Sequence, residues 1–202
     1  MLKNFLIFIL SIFLLFSCGK KNKEEIISKP DNEEIGKSLY AEGVRALKEG
    51  DAFYAGKKFR EAETLLSRYM WAGKASLMAG YAEYARNAYT NAIFDLEKHI
   101  KNYPSDKNID YVHYLIAMCY YEQILDEKKD LEPLLKAKEK FEFIMENYPN
   151  TDYGTDARFK IDLITDQLAA REMSVARYYM KTEKWMPALN RLKIVTDQYE
   201  TT

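Results

Sequence analysis

The fold of this chain can be inferred from the sequence GYAEYARNAYTNAIFDLEKHIKNYP, residues 80–104. It places Ala92 twelve positions after the small residue Gly80, then Leu96 four positions later and His99 three further on. Spacings of three and four residues bring side chains to one face of an α-helix. Small residues twelve apart let two antiparallel helices approach closely across a short turn. The stretch therefore predicts a helical hairpin.

The same pattern recurs along the chain, in one case with additional residues between its two halves. The other copies are Gly43, Ala55, Phe59 and Ala62; Ala117, Ala137, Phe141 and Ile144; and Ala176, Ala188, Leu192 and Val195. The pattern resembles the tetratricopeptide repeat, a helix-turn-helix unit of about 34 residues that stacks on its neighbours. We therefore expect an all-α protein, a right-handed α-solenoid of about four tetratricopeptide-like repeats over residues 35–202.

The later copies are longer than the usual repeat, so they carry extra helix or loop. We expect the additional residues of the third unit to form a bulge at Asp126–Leu131. Ahead of the fourth unit, residues 152–182 contain few helix breakers after Gly154. They therefore predict one long helix.

Composition narrows the classes of function. A net charge of −1, from 30 basic and 31 acidic residues, provides no field for holding a polyanion, so we expect no nucleic-acid partner. The chain has only two histidines and two cysteines, and we expect neither a metal nor a cofactor. Cys119 lies in an apolar run and predicts a buried packing residue.

Catalytic motifs are missing from the sequence. There is no Gly-rich phosphate loop, no Gly-x-Ser-x-Gly elbow and no His-Glu-x-x-His. His99 and His113 fall on different predicted helices, and His99 occupies a packing position of the repeat, where we expect a hydrogen-bonded structural histidine. We predict that the protein is not an enzyme.

The N-terminal residues have the features of an export signal. The apolar run Phe5 to Phe16 follows a single lysine and is too short to span a bilayer comfortably, and Ser17 precedes Cys18. This junction is similar to a bacterial lipobox, which implies a signal peptide over residues 1–17 and lipidation of Cys18. Residues 18–34 are charged and predict a flexible tether. Several acyl chains would anchor the protein firmly to a membrane.

A solenoid of this kind binds ligands, usually peptides, on the surface formed by the first helices of its repeats. Tyrosine provides a large contact area there at low entropic cost. Our candidates for binding an extended polypeptide are Tyr40, Tyr81 and Tyr84, together with Arg45, whose guanidinium can pair with a terminal carboxylate. Other tyrosines of the predicted first helices are Tyr111, Tyr114, Tyr120, Tyr121, Tyr178 and Tyr179.

Three segments and one tryptophan are more specific than the repeat pattern. They are NIDYV at 108–112, YPNTDYGTDA at 148–157, DQLAAREMSVARYY at 166–179, and Trp185. In register across three repeats, they resemble the BamD family, the tetratricopeptide lipoproteins of the outer-membrane β-barrel assembly (BAM) machinery. This family carries a fifth repeat, which we expect this sequence to lack.

The resemblance implies a non-enzymatic scaffold that assists recognition, assembly and insertion of β-barrel proteins into the outer membrane. It implies three kinds of partner: the periplasmic domains of the barrel-forming subunit BamA, accessory BAM lipoproteins and unfolded barrel proteins. The protein would be lipid-anchored to the outer membrane and face the periplasm. For docking on these partners we expect Arg191 and Tyr199 to contribute. The alternative is a generic periplasmic repeat lipoprotein that coordinates cell-wall or envelope processes.

Overall fold

A computed structural model describes residues 31–123 and 131–199, and these residues form α-helices joined by short turns. The predicted signal peptide, Cys18, most of the tether, and all of the predicted bulge except Leu131 lie outside the described residues. The helices, in chain order, are α1 (Asn32–Lys48), α2 (Ala52–Leu65), α3 (Tyr69–Ala85), α4 (Tyr89–Asn102), α5 (Ile109–Glu122), α6 (Glu132–Asn147), α7 (Asp152–Lys181) and α8 (Trp185–Gln198).

Each helix packs against the next one along the chain, which gives four helical hairpins in sequence. The first helix α5 also contacts the first helices α3 and α7 on either side of it, so these three helices share one face. This arrangement is a tetratricopeptide-like helical solenoid, and it confirms the predicted fold class. The single long helix predicted ahead of the fourth unit is also confirmed, because α7 runs from Asp152 to Lys181.

The turn between the two helices of a hairpin uses the same backbone device in three repeats. Gly50, Asn87 and Glu183 each follow a first helix and adopt positive φ angles of 88°, 62° and 58°. A left-handed residue at this place ends a helix and reverses the chain. Glycine and asparagine tolerate this conformation well, whereas Glu183 adopts it against its intrinsic preference.

The small residues of the repeat pattern sit where two helices come closest. A Cβ atom added to Gly80 would lie 2.6 Å from Cδ2 of Leu96, and one added to Gly43 would lie 2.8 Å from Cε1 of Phe59. Only glycine allows this approach without displacing the large side chain beneath it. Leu96 and Phe59 have no exposed surface as a result.

Four hydrophobic clusters follow one another along the described residues, each bridging consecutive helices. Cys119 is fully buried, as predicted, in the cluster that joins α3, α4 and α5. Burial raises the pKa of its thiol to about 12. His99 is fully buried too, but neither ring nitrogen has a hydrogen-bond partner. The expectation of a hydrogen-bonded histidine was therefore wrong: the nearest acidic oxygen, Oδ2 of Asp106, is 4.0 Å from Nε2. The His99 ring instead packs on Tyr103 at 5.2 Å between centroids.

None of the helices in the described ranges combines the length and the apolar character that crossing a membrane requires.

Candidate peptide-binding surface

Part-buried tyrosines from four helices meet along the face formed by the first helices, and we call this group the tyrosine patch. Its members are Tyr81 and Tyr84 of α3, Tyr89 of α4, Tyr111 and Tyr114 of α5, and Tyr153 of α7. The patch spans three consecutive repeats. A continuous aromatic surface of this kind suits a ligand that is itself extended.

Ring packing connects the tyrosines within each end of the patch. At one end the Tyr84 ring lies 6.4 Å from Tyr81 and 5.9 Å from Tyr89, measured between centroids. At the other end the Tyr153 ring lies 5.2 Å from Tyr111 and 5.1 Å from Tyr114. These separations fall within the range of favourable tilted aromatic pairs. Tyr81, Tyr84, Tyr89 and Tyr111 also pack on the same buried cluster, which joins the two ends.

The rings are held in place by the packing that partly buries them. Burial raises the pKa of the Tyr111 hydroxyl to about 12. The pKa of Tyr114 is also raised, first by burial and then by the hydrogen bond that its hydroxyl donates to Oδ2 of Asp156 at 2.6 Å. Both side chains therefore stay neutral at physiological pH, and the Tyr114 hydroxyl is fixed between α5 and α7.

Carboxylates surround the patch. Beyond Asp156, the charge of Glu122 acts on Tyr84 and Tyr89, and the charges of Asp110 and Asp152 act on Tyr153. Each carboxylate raises the pKa of the tyrosine beside it, in addition to the larger effect of burial. Carboxylates therefore lie beside tyrosines at both ends of the patch, where they favour a cationic group on a ligand.

The structure brings together only two of the four residues proposed to bind a polypeptide. Tyr81 and Tyr84 are neighbours in the patch. The ring of Tyr40 packs instead on Phe59 at 5.3 Å and on Trp71 at 6.2 Å, where it seals the first repeat against the second. Arg45 is exposed near the end of α1.

The two residues proposed for docking on partners lie near the C-terminal end of the described residues. Arg191 of α8 donates from Nη1 to Oε2 of Glu172 on α7 at 2.9 Å, so its guanidinium already ties these two helices together. Tyr199 is part-buried and packs on the cluster that includes Ile164 and Leu168. Each retains exposed surface beside these contacts.

Sequence reasoning missed two members of the patch. Tyr89 belongs to a second helix, and only the close turn after α3 brings its ring to Tyr84. Tyr153 occupies the first turn of α7, and the motif at 148–157 contained it without indicating its orientation. The signal that pointed to Tyr153 was its place shortly after a Tyr-Pro pair, which Tyr111 shares.

The described residues at this surface contribute aromatic rings and carboxylates. Within residues 31–123 and 131–199, no group of three or more histidine, cysteine or acidic side chains is placed to hold a metal ion. Neutral aromatic rings next to carboxylates provide contact area, hydrogen-bond acceptors and attraction for cations.

Comparison with known proteins assigns the chain to a family. The family model described as "YfiO: Outer membrane lipoprotein" matches residues 32–202. The outer membrane protein assembly factor BamD of Caulobacter vibrioides is 37% identical over 184 residues, which cover 91% of this chain and 59% of that protein. BamD of Rickettsia prowazekii is 34% identical over 185 residues, which cover 87% of this chain and 71% of that protein.

A more distant relative carries the same name: BamD of Neisseria gonorrhoeae is 28% identical over 174 residues, covering 81% of this chain and 65% of that protein. The chain therefore spans about three fifths to seven tenths of the length of these relatives. The family model covers most of the chain, and the relatives agree with it. The chain belongs to the BamD (YfiO) family of outer membrane lipoproteins.

Proposed function

We propose that this protein is a non-enzymatic scaffold lipoprotein of the outer-membrane protein assembly machinery, where it assists the recognition and insertion of β-barrel proteins. The observation that carries the proposal is the tyrosine patch, an aromatic surface that crosses three repeats in a chain whose relatives are named outer membrane protein assembly factors. Unfolded barrel strands alternate apolar and polar residues in extended form. Such strands match a long aromatic surface better than a compact ligand does.

The anchoring proposal concerns residues 1–34. Residues 1–17 are the signal peptide, Cys18 receives the lipid, and residues 18–34 tether the solenoid to the periplasmic face of the outer membrane. Helix α1 begins at Asn32, so the last residues of this tether already belong to the first repeat. Two or more acyl chains on Cys18 would retain the protein in the membrane fraction, because each buried methylene contributes about 0.8 kcal/mol.

The partner proposal assigns different surfaces to different partners. The tyrosine patch contacts unfolded barrel proteins, and Arg45 pairs with the terminal carboxylate of such a client. Arg191 and Tyr199 face the periplasmic domains of BamA and the accessory lipoproteins. Arg191 can serve both its ion pair with Glu172 and a partner, because about two fifths of its side chain is exposed.

Site-specific crosslinking tests the proposal in cells. A photoreactive phenylalanine replaces Tyr81 or Tyr84 in the full chain, and the matched control replaces Tyr54, an exposed tyrosine of the second helix α2. We expect crosslinks to unfolded barrel proteins from positions 81 and 84 and not from 54. The same probe at position 45 tests contact with the C-terminus of the client. At positions 191 and 199 it tests contact with BamA.

Crosslinks are collected from the washed outer-membrane fraction, with Cys18→Ala as the control for anchoring. Loss of the variant from that fraction supports lipidation of Cys18. Crosslinks to wall-synthesis enzymes in place of barrel proteins and BamA would contradict the scaffold role. Equal yields from positions 54, 81 and 84 would contradict the role of the tyrosine patch.

A further inference from the structure

We propose that one corner of the tyrosine patch, formed by Tyr84, Tyr89 and Glu122, binds a lysine or arginine side chain of an extended polypeptide. The inference rests on the proposed function, since the polypeptide is the client that the patch holds. It adds the chemistry that selects among segments of that client. A segment with a basic residue next to its apolar residues would be preferred over a neutral one.

The geometry of the corner leaves room for a cation. The rings of Tyr84 and Tyr89 are 5.9 Å apart at an interplanar angle of 56°, so they form two walls of an open corner. The Tyr89 side of the corner opens onto a depression of about 330 Å³ that is lined by residues 87–91 and Gln123, and this depression can admit a guanidinium group. The Tyr89 hydroxyl donates to Oδ1 of Asn87 at 3.0 Å, which fixes the direction of its ring. Aromatic faces attract cations that come within about 6 Å of the ring centroid.

The charged groups next to the corner are mainly negative. Glu122 is exposed, and its carboxylate acts on both tyrosines of the corner. Helix α5 ends at Glu122 and helix α3 ends at Ala85, so two helix C-termini add negative potential there. The N-terminus of α4 at Tyr89 opposes them with a positive end of similar size, about half an elementary charge. The carboxylate of Glu122 and the two C-termini outweigh this single positive end, so the local charge favours a cation at the corner.

Several lysine and arginine side chains of the described residues lie over other aromatic rings, and they leave the corner open. Within the described residues, the lysine and arginine groups that lie over aromatic rings are on Phe53, Tyr54, Trp71, Tyr120 and Tyr121, and none of these rings belongs to the patch. Arg86 follows Tyr84 closely in sequence, but it lies over Phe53 at 5.3 Å and donates from Nε to Oε2 of Glu83 at 2.7 Å. The described cations thus leave the corner to a cation from a partner.

Tyr120 and Tyr121 differ from Tyr84 and Tyr89 in having a cation of the protein over their rings. Both belong to α5, as do Tyr111 and Tyr114, yet Lys136 lies over Tyr120 at 5.6 Å and Lys160 over Tyr121 at 5.0 Å. Those rings already have the cation that their electrostatics favour. Tyr84 and Tyr89 have the carboxylate without such a cation among the described residues, so charge complementarity points to a basic side chain on the ligand.

Fluorescence anisotropy with synthetic peptides tests the inference on the full chain. The probe is a short labelled peptide of alternating phenylalanine and serine with one central arginine, and the comparison peptide has glutamine in its place. We expect the arginine peptide to bind about fivefold more tightly, with the difference shrinking at high ionic strength. Glu122→Gln should remove most of this difference, and Glu122→Lys should reverse the preference toward a peptide with a central glutamate.

The matched control is Glu97→Gln, which removes one carboxylate from an exposed position of α4 beyond its first two turns and should leave both affinities unchanged. Because Glu122 and Glu97 are exposed, neither variant is expected to affect folding, and unfolding curves verify this. Equal binding of the arginine and glutamine peptides to the native protein would overturn the cation preference while leaving client binding intact. If neither peptide binds and positions 81 and 84 yield no crosslinks, this inference and the proposed client binding both fail.

Discussion

Leu96 in the second repeat and Leu192 in the fourth occupy the same position of the sequence pattern but not the same environment. Leu96 lies under Gly80 with no exposed surface, between α3 on one side and α5 on the other. Leu192 is partly exposed, and α8 buries only Ala188 among its residues. Large apolar side chains of α8 are open to solvent, with exposed fractions of 64% for Trp185, 68% for Met186 and 58% for Leu189.

The comparison separates two requirements for burial. The pattern of small and large residues is enough to form a hairpin, because both repeats form one with α-helices of ordinary geometry. Complete burial also requires helices packed on both sides of the hairpin. The second repeat has both neighbours, whereas α8 in the described residues packs substantially against α7 alone. Stability should therefore decrease from the second repeat to the fourth, although the pattern is shared.

Removing the two leucines should show the largest difference between these repeats. Leu96→Ala leaves a cavity in a closed core and should reduce the free energy of unfolding by about 3 kcal/mol. Leu192→Ala removes a side chain that is already partly hydrated and should cost about 1 kcal/mol. Urea unfolding followed by circular dichroism measures both. Equal losses would mean that the fourth repeat is as well packed as the second.

Ion pairs within and between repeats should show a smaller difference. Glu83 is 2% exposed and accepts hydrogen bonds from Arg60 at 2.8 Å and Arg86 at 2.7 Å. Burial pushes the pKa of Glu83 up, but the hydrogen bonds and charges of these two arginines outweigh it and hold the pKa below its usual value. Glu172 of the fourth repeat has one partner, Arg191, and is more exposed.

Glu83→Gln should therefore reduce the free energy of unfolding by about 2 kcal/mol, because the partly buried side chains of Arg60 and Arg86 lose the negative charge between them. Glu172→Gln should cost about 0.5 kcal/mol, as exposed pairs do. Thermal unfolding at neutral pH compares the two variants. Since the pKa of Glu83 is depressed in the folded state, its contribution is present above the unfolded pKa and lost as the pH falls through the folded value. A Glu83→Gln protein as stable as the native one would show that the cluster does not stabilise the hairpins.

The smallest expected effect is a pH dependence of stability that His99 introduces and that Val195, its counterpart in the fourth repeat, does not. Burial lowers the pKa of His99, and the charges of Asp106 and Glu63 offset this only in part. The unfolded chain therefore binds a proton more readily, and stability should decrease as the pH falls below the ordinary histidine pKa of about 6.5. His99→Val should reduce this decrease, as seen by unfolding at several pH values.

Val195→Ala serves as the control, because it changes the fourth repeat and introduces no titrating group. Its stability should follow the same pH dependence as the native protein. The pKa of His113 is lowered as well, by burial and by Lys140, so some pH dependence should remain in His99→Val. An unchanged pH profile in His99→Val would assign the whole effect to other groups.

Several features of the structure were predictable from the sequence because they depend on local spacing. The hairpins follow from small and large residues at fixed separations, and the long helix α7 follows from the near absence of breakers. The buried position of Cys119 follows from its apolar neighbours. The place of Tyr81 and Tyr84 on a first helix follows from the same spacing.

Other features were not predictable because they depend on distant parts of the chain. Glu83 forms an ion pair with Arg60 of another repeat. Its neighbours in the sequence, Ala82 and Tyr84, do not indicate that its side chain is buried. The ring of Tyr40 is held by Phe59 and Trp71, which converge on it from two helices. Tyr89 and Tyr153 joined the patch through contacts that no single helix specifies.

Residue order alone thus prescribed the units of this protein: which segments become helices, where they turn, and which of their faces are apolar. These properties arise from interactions within a few turns of chain. The packing of hairpin on hairpin settled which apolar faces are fully enclosed, which tyrosines form one surface and which carboxylates lie beside them. Such properties depend on side chains tens of residues apart, and they emerge only when the hairpins have stacked.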